Sequence, residues 1–393
     1  MFIKKFKYKD HVTGWELEET EFEEINLLVG ASGVGKTKIL EAITNLRSLA
    51  LGRINNKFFG IKGMEWNVAF STKNNESIVW SGQLDSNNQI SEDENGNEVE
   101  QSHILYENLF VNDRAIINRN GSKVFFLDKE TVKLPTSDSA IHLLREEELI
   151  KTVRSEIAEI NFLAIESIQR TFEAIFGPLL ESARKVFGKG EENEYQSIED
   201  IRTSKLYTVE KLFLSRTVAV EVYQKIVDRF CEIFPVVESV KIEKSSYTQP
   251  GLTVTTFKDY PAIKIKEQGS DYWVPQEKMS SGMFKTFLHL AEIYLCPDGT
   301  VFLIDEFENS LGVNCVQQVM DEILTAGRKI QFIITSHHPY VINNIDFKYW
   351  KIVTRKGSLV KTHPSSDYPL GKSRHSAFMQ LLQLDEYLTG QES

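Results

Sequence analysis

The stretch from Ile25 to Ile43, INLLVGASGVGKTKILEAI, leaves a chain few ways to fold. Ile25, Leu27, Leu28 and Val29 form the apolar run of a buried strand, and Ile39, Leu40, Ala42 and Ile43 follow at helical spacing. Between them lie Gly30, Ala31, Ser32, Gly33, Val34, Gly35, Lys36 and Thr37, the spacing of a P-loop. Its glycines let backbone N–H groups turn inward around a polyphosphate with no Cβ in the way. Lys36 would reach the β- and γ-phosphates, and the Thr37 hydroxyl would hold Mg²⁺. The following helix points its N-terminus at the anion, adding its dipole and unpaired N–H groups. A glycine turn without a ligand is the plainer alternative, and the flanking strand and helix argue against it.

The last hundred residues repeat the theme. Val301 to Ile304 is an apolar run ending in Asp305-Glu306, as expected of a buried parallel strand that delivers two carboxylates at its C-terminal end. Asp305 suits a metal-bound partner of Thr37, and Glu306 a general base that polarises water. Ile330 to Thr335 is a second such strand, ending in Ser336-His337-His338-Pro339, where His337 could sense a γ-phosphate through its imidazole. Met279-Ser280-Ser281-Gly282-Met283 opens an apolar helix. Ser280, Ser281 and Gly282 read as structure alone are a helix N-cap; read as chemistry they are a second anion-binding device. A chain that already has one phosphate loop has use for a second if it closes over the nucleotide of another subunit.

Elsewhere the pattern alternates. Phe2 to Tyr8 and Gly14 to Glu19 read as a strand pair, whose aromatics Phe2, Phe6 and Tyr8 either stack on adenine or pack in the core. Trp66 to Phe70, Ser77 to Ser81, His103 to Phe110 and Lys123 to Leu127 have the period of an antiparallel sheet. The acidic stretch Asp85 to Gln101, with its Asn95-Gly96 turn signal, reads as a hairpin tip or solvated loop. From Ser139 the spacing becomes helical through Ile175, with further helices at Leu179 to Phe187 and Ile198 to Phe234, separated by a linker at Gly188 to Ser197. A strand-rich stretch, Val236 to Val274, precedes the second serine-glycine turn. The expected organisation is 1–138 for the first part of a P-loop head, 139–235 for a helical insertion and 236–393 for the rest of the head. The fold class is α/β, a P-loop ATPase head with a mainly helical insertion and an antiparallel β subdomain.

Composition narrows the function. The net charge of −11 argues against a surface basic throughout, so nucleic acid would be met through a local patch or the assembly. Cys231, Cys296 and Cys315 form no CxxC pair and read as reduced thiols of a cytosolic protein. No window approaches the roughly 18 apolar residues of a membrane span, and MFIKKFKYKD is no signal segment, so the expected location is cytoplasmic.

The order of P-loop, SSG turn, LIDEFEN with Ser310-Leu311-Gly312, then ITSHHP resembles the ATP-binding-cassette ATPases of the chromosome-maintenance and recombination-repair type. More narrowly it is similar to the AAA-labelled ATPases of prokaryotic anti-phage systems, related to the overcoming-lysogenization-defect and Septu ATPases. The resemblance implies ATP and Mg²⁺ as cofactors, with Lys36 and Thr37 on phosphate and metal. It makes Asp305 the metal carboxylate, Glu306 the base and His337 the switch histidine, while Ser281 and Gly282 serve the opposite subunit. It further implies a homodimer or higher even oligomer closed around ATP, and a phage-defence sensor or scaffold that gates a separate effector nuclease. The chain departs from the family in several places. The signature reads MSSGM rather than LSGGQ, Lys285 replaces a common arginine, Gly312 stands where many relatives have histidine or aspartate, and only Gln83 and Gln101 are candidates for a glutamine loop. No nuclease domain is expected after the switch histidine. The rivals are a DNA-repair clamp that binds DNA directly, a regulator that closes on ATP and scarcely hydrolyses it, and a transporter's ATPase subunit.

Overall fold

The computed structural model describes residues 1–53, 63–85, 89–92, 98–162, 194–248, 256–310, 313–325, 327–371 and 373–391. Its contacts divide the chain into two units. One comprises Met1–Leu163, Asp298–Glu306 and Lys329–Ser393; the other comprises Ala164–Pro297 and Phe307–Arg328. The boundaries expected at 138/139 and 235/236 fall inside the first and second unit respectively.

The first unit is built on one mixed sheet. At one end of it, strands Ile160–Phe162, Val301–Ile304, Gln331–Thr335, Ile25–Val29 and Trp350–Lys356 run parallel, with Ile160–Phe162 at the edge. Ile25–Val29, Val301–Ile304 and Gln331–Thr335 are buried at every residue, which is why each reads as a nearly unbroken apolar run. Trp350–Lys356 turns back into Leu359–Pro364, which runs beside Glu16–Glu21. From there the sheet is antiparallel through Phe2–Asp10, Met64–Ser71, Ser77–Leu84, Ile104–Val111, Arg114–Asn120, Lys123–Phe126 and Lys129–Glu130. In this wing burial alternates: Met64, Trp66, Val68 and Phe70 point inward from one strand. The Trp66 and Trp80 rings meet edge to face, 5.3 Å apart. Helix Lys36–Ala50 buries Ile39, Leu40, Ile43 and Leu46 in the same core.

Two local differences from the expected pattern have physical causes. The strand Arg114–Asn120 is polar in sequence because Arg119 is a buried member of an internal network. Its guanidinium donates to the Gly121, Pro135 and Asp138 carbonyls and lies 3.7 Å from Glu107, whose carboxylate accepts from Trp80 Nε1. Within the helical run expected from Ser139 through Ile175, helix Glu148–Ala158 gives way to a strand, and Ile160–Phe162 pairs with Val301–Leu303. A buried strand edge there recruits backbone partners that local periodicity does not reveal. The terminal helix is two short ones, Arg374–Leu381 and Asp385–Thr389. In the acidic stretch, Gln89–Glu92 and Glu98–Gln101 pair as an antiparallel ribbon. Its Asn95-Gly96 turn, the expected helices between 163 and 187 and most of the linker lie outside the described residues.

The second unit packs helices Ile198–Thr203, Thr208–Val218, Val220–Ile233, Ser281–Leu295 and Val313–Thr325 with a three-stranded antiparallel sheet, Val237–Thr248, Thr256–Glu267 and Trp273–Pro275. Phe230 and Phe287 meet edge to face at 4.9 Å, and Ile242, Ile263 and Ile265 line the sheet's inner face. Glu322 ties two helices to its own, accepting from Tyr294 Oη and, at 2.6 Å, from Arg229. Cys231, Cys296 and Cys315 form no disulfide among the described residues. Among the described residues no helix is long and apolar enough to cross a membrane.

Candidate functional site

The phosphate loop leaves strand Ile25–Val29 at the C-terminal edge of the parallel strands, where α/β sheets place their ligands. Gly30 has φ +151°, and a Cβ there would stand 2.6 Å from the Val353 carbonyl oxygen, so no other residue fits. Gly35, the N-cap of helix Lys36–Ala50, has φ +107° and lies against the buried Trp15 indole. Lys36 is 4% exposed, and its Nζ donates to the Gly30 and Ala31 carbonyls, both at 2.8 Å. The amine is thereby folded into the loop it would serve. Ser32 and Gly33 are exposed, whereas Val34 is buried beneath Gly390. Arg355 braces the same loop: Nη1 donates to the Gly33 carbonyl at 3.2 Å and its backbone N–H to Gly390 O at 2.6 Å.

The carboxylates arrive from the neighbouring strands. Ile304 pairs with Ile334, and Thr335 with Leu28, so three strand ends lie level. Asp305 Oδ1 accepts from Thr37 Oγ1 at 3.1 Å and from Thr335 Oγ1 at 2.6 Å. Glu306 donates its backbone N–H to the same Thr335 hydroxyl at 2.8 Å and adopts φ +45°. Asp305 and Glu306 are marked in the sequence by the four apolar residues before them; Thr335 is not. The available signal was a lone hydroxyl at the end of an apolar strand. Glu41, one helical turn after Thr37, has its carboxyl pushed up by burial, with Asp305 adding a like charge and Lys38 opposing both. A threonine hydroxyl against the Asp305 carboxylate is an oxygen donor pair of the kind Mg²⁺ takes, and the Cβ-free cradle at Gly30 suits a phosphate.

His337 is exposed just after the strand that carries Thr335. His338 has a structural place: it caps the short helix Pro339–Asn344, its Nδ1 accepting from Tyr340 N–H at 3.2 Å. Phe6 and Tyr8 belong to the core, the packing alternative for those aromatics. The Tyr8 hydroxyl meets Met64 Sδ and Asn45, and burial pushes it up to about 12. In the second unit, Ser280 is the N-cap of helix Ser281–Leu295, its Oγ accepting from Met283 N–H at 3.2 Å. Ser281 is exposed at that helix's first turn, and Gly282 follows it. Gln83 lies within strand Ser77–Leu84 and Gln101 ends the acidic ribbon, while Gly312 lies outside the described residues.

The sequence family described as "AAA domain, putative AbiEii toxin, Type IV TA system" matches residues 25–343. No curated protein matches the sequence. Among solved structures, the Smc head bound to the C-winged helix domain of ScpA superposes with a TM-score of 0.51 at 15% identity, over 92% of this chain and 98% of that one. The Smc head with an extended coiled coil, bound to the C-terminal domain of ScpA and derived from Pyrococcus furiosus, gives 0.46 at 15% identity over 97% and 98%. The head domain from Thermotoga maritima gives 0.42 at 12% over 93% and 99%. The first likeness shows the fold, a P-loop ATPase head.

Proposed function

We infer the function from one premise: the chain belongs to the AAA-domain family just described. It binds ATP with Mg²⁺, hydrolyses it and uses the cycle as a switch on a partner. The observation that carries this reading is the meeting of Thr37, Asp305 and Glu306 around one strand end, beside a loop whose glycines leave room for phosphate. Mg²⁺, when bound, would neutralise phosphate charge. The chain's own residues do the rest. Lys36 turns its ammonium from the loop carbonyls to the phosphate oxygens, and Thr37 and Asp305 would hold the metal. Glu306 accepts a proton from water as the water oxygen bonds the γ-phosphorus and ADP leaves. His337 meets the γ-phosphate from the next strand. Ser280, Ser281 and Gly282 of a second copy close over the nucleotide, which makes the working form a homodimer or higher even oligomer.

The family description names a toxin and a type IV toxin–antitoxin system, which supports a role in phage defence with a separate effector, a nuclease in our reading. The rival is a repair clamp that binds DNA itself and needs a basic stripe. On the three-stranded sheet, Lys241 and Lys264 are paired with Glu243, and Lys266 with Glu238. Paired lysines offer phosphates little net charge, so this face favours the switch reading. The test is to measure ATP binding, turnover with and without duplex DNA, and phage resistance with and without the neighbouring gene. Lys36→Ala should abolish ATP binding and resistance. Resistance indifferent to Lys36, or arising from this chain alone, contradicts the reading, and strong DNA stimulation favours the clamp.

A further inference from the structure

We propose that Thr335 is a positioning residue of this ATPase, one hydroxyl that ties the metal carboxylate Asp305 and the backbone of the base Glu306 into a single unit. The inference rests on the ATPase reading above. A threonine hydroxyl has one proton and two acceptor sites. The Glu306 N–H can only donate, so Thr335 Oγ1 accepts there, and its proton goes to Asp305 Oδ1, 2.6 Å away. The direction of both bonds follows from this count. Thr335 is 1% exposed, and its backbone pairs with Leu28 just before the phosphate loop. β-Branching narrows its χ1 choice, so the hydroxyl is held where strand register puts it.

Each bond has a separate effect. Thr37 and Thr335 reach the same oxygen of Asp305, which fixes the carboxylate's rotation from two sides before a cation arrives. The bond to Glu306 stabilises a left-handed backbone that an L-residue seldom adopts, just past the end of strand Val301–Ile304. Loss of the hydroxyl therefore releases both the metal ligand and the base, while leaving Lys36 and the loop glycines untouched.

The test compares Thr335→Val, which keeps the β-branched shape without the hydroxyl, with Thr335→Ser, which keeps the hydroxyl. ATP affinity is measured with and without Mg²⁺, turnover at saturating ATP, and melting temperature as a control. Thr335→Val should bind ATP without Mg²⁺ as the wild type does, lose the Mg²⁺-dependent gain in affinity, and turn over about 10²-fold more slowly. Thr335→Ser should restore most of both. Should Thr335→Val fail to fold, Thr335→Ala gives the same comparison without added bulk. Wild-type turnover and Mg²⁺ dependence in the hydroxyl-free variant, or equal loss in Thr335→Ser, overturns the inference alone. Wild-type protein with no Lys36-dependent ATP binding overturns the ATPase reading and the inference with it.

Discussion

Glu306 holds a left-handed backbone, φ +45°, in a position where no glycine relieves it. Such a conformation costs about 1–3 kcal/mol and persists only where surrounding bonds hold it. A strained residue immediately after the proposed metal carboxylate Asp305 fits the catalytic task proposed for it. Glu306→Gln keeps size and hydrogen bonding but removes basicity, so phosphate release should fall roughly 10²- to 10⁴-fold while ATP still binds. Unchanged release in that variant would remove Glu306 as the base. At this scale the sequence was informative where chemistry and spacing coincide. Gly30 to Thr37 are contiguous, and Asp305 and Glu306 follow four apolar residues. Thr335, Arg355 and Gly390 carried no such mark. They act through register, bracing or contact with residues far away in the chain, and a threonine, an arginine and a glycine are each common at strand ends and turns.

Two helices of the second unit carry buried groups that titrate against folding in opposite senses. Glu210, in Thr208–Val218, is 1% exposed; burial pushes its carboxyl up to about 7, opposed by the Tyr207 N–H it accepts. The unfolded chain ionises Glu210 near its ordinary value, so stability falls as pH rises toward 7, by up to roughly 3 kcal/mol. His289, in Ser281–Leu295, is pushed down to about 4 by burial, with Lys285 adding to it. The unfolded chain protonates His289 first, so stability falls as pH drops from about 6.5 toward 4. The slopes oppose each other through the overlap. Glu210→Gln should remove the first and leave a melting temperature that rises from pH 4 to 6.5 and then levels. A variant profile that follows the wild type would contradict the burial of Glu210. Element by element, the buried parallel strands were legible because their apolar runs are short and end in polar residues. Ile160–Phe162 was not, because its residues continue a helical period and only the edge of Val301–Ile304 makes them a strand.

For the assembled molecule, the prediction concerns shared sites. If Ser281 serves the opposite copy, Ser281→Arg and Lys36→Ala each disable both sites of their own homodimer. A mixed dimer then keeps one intact site, because two-fold symmetry places both lesions in the other. Equal mixing makes half the dimers mixed, so turnover should return to about a quarter of wild type. Mixed dimers that form and stay inactive would exclude a composite site. The ATPase-head plan was legible in the order of the motifs, and the two-unit division was not. It depends on segments such as Asp298–Glu306 returning to a sheet begun far upstream, which composition does not register.

The P-loop strand has its neighbours on both sides near the far end of the chain: Ile25 pairs with Phe332 and Leu27 with Trp350. During synthesis it has neither partner until roughly 300 further residues have been translated. At about 5–20 residues per second, that strand waits for tens of seconds with both edges unpaired. The antiparallel wing has its partners close by in sequence and can assemble meanwhile. A nascent chain stalled before Phe332 would therefore carry a folded wing and no nucleotide pocket, and the apolar run Ile25–Val29 would be the segment a chaperone meets.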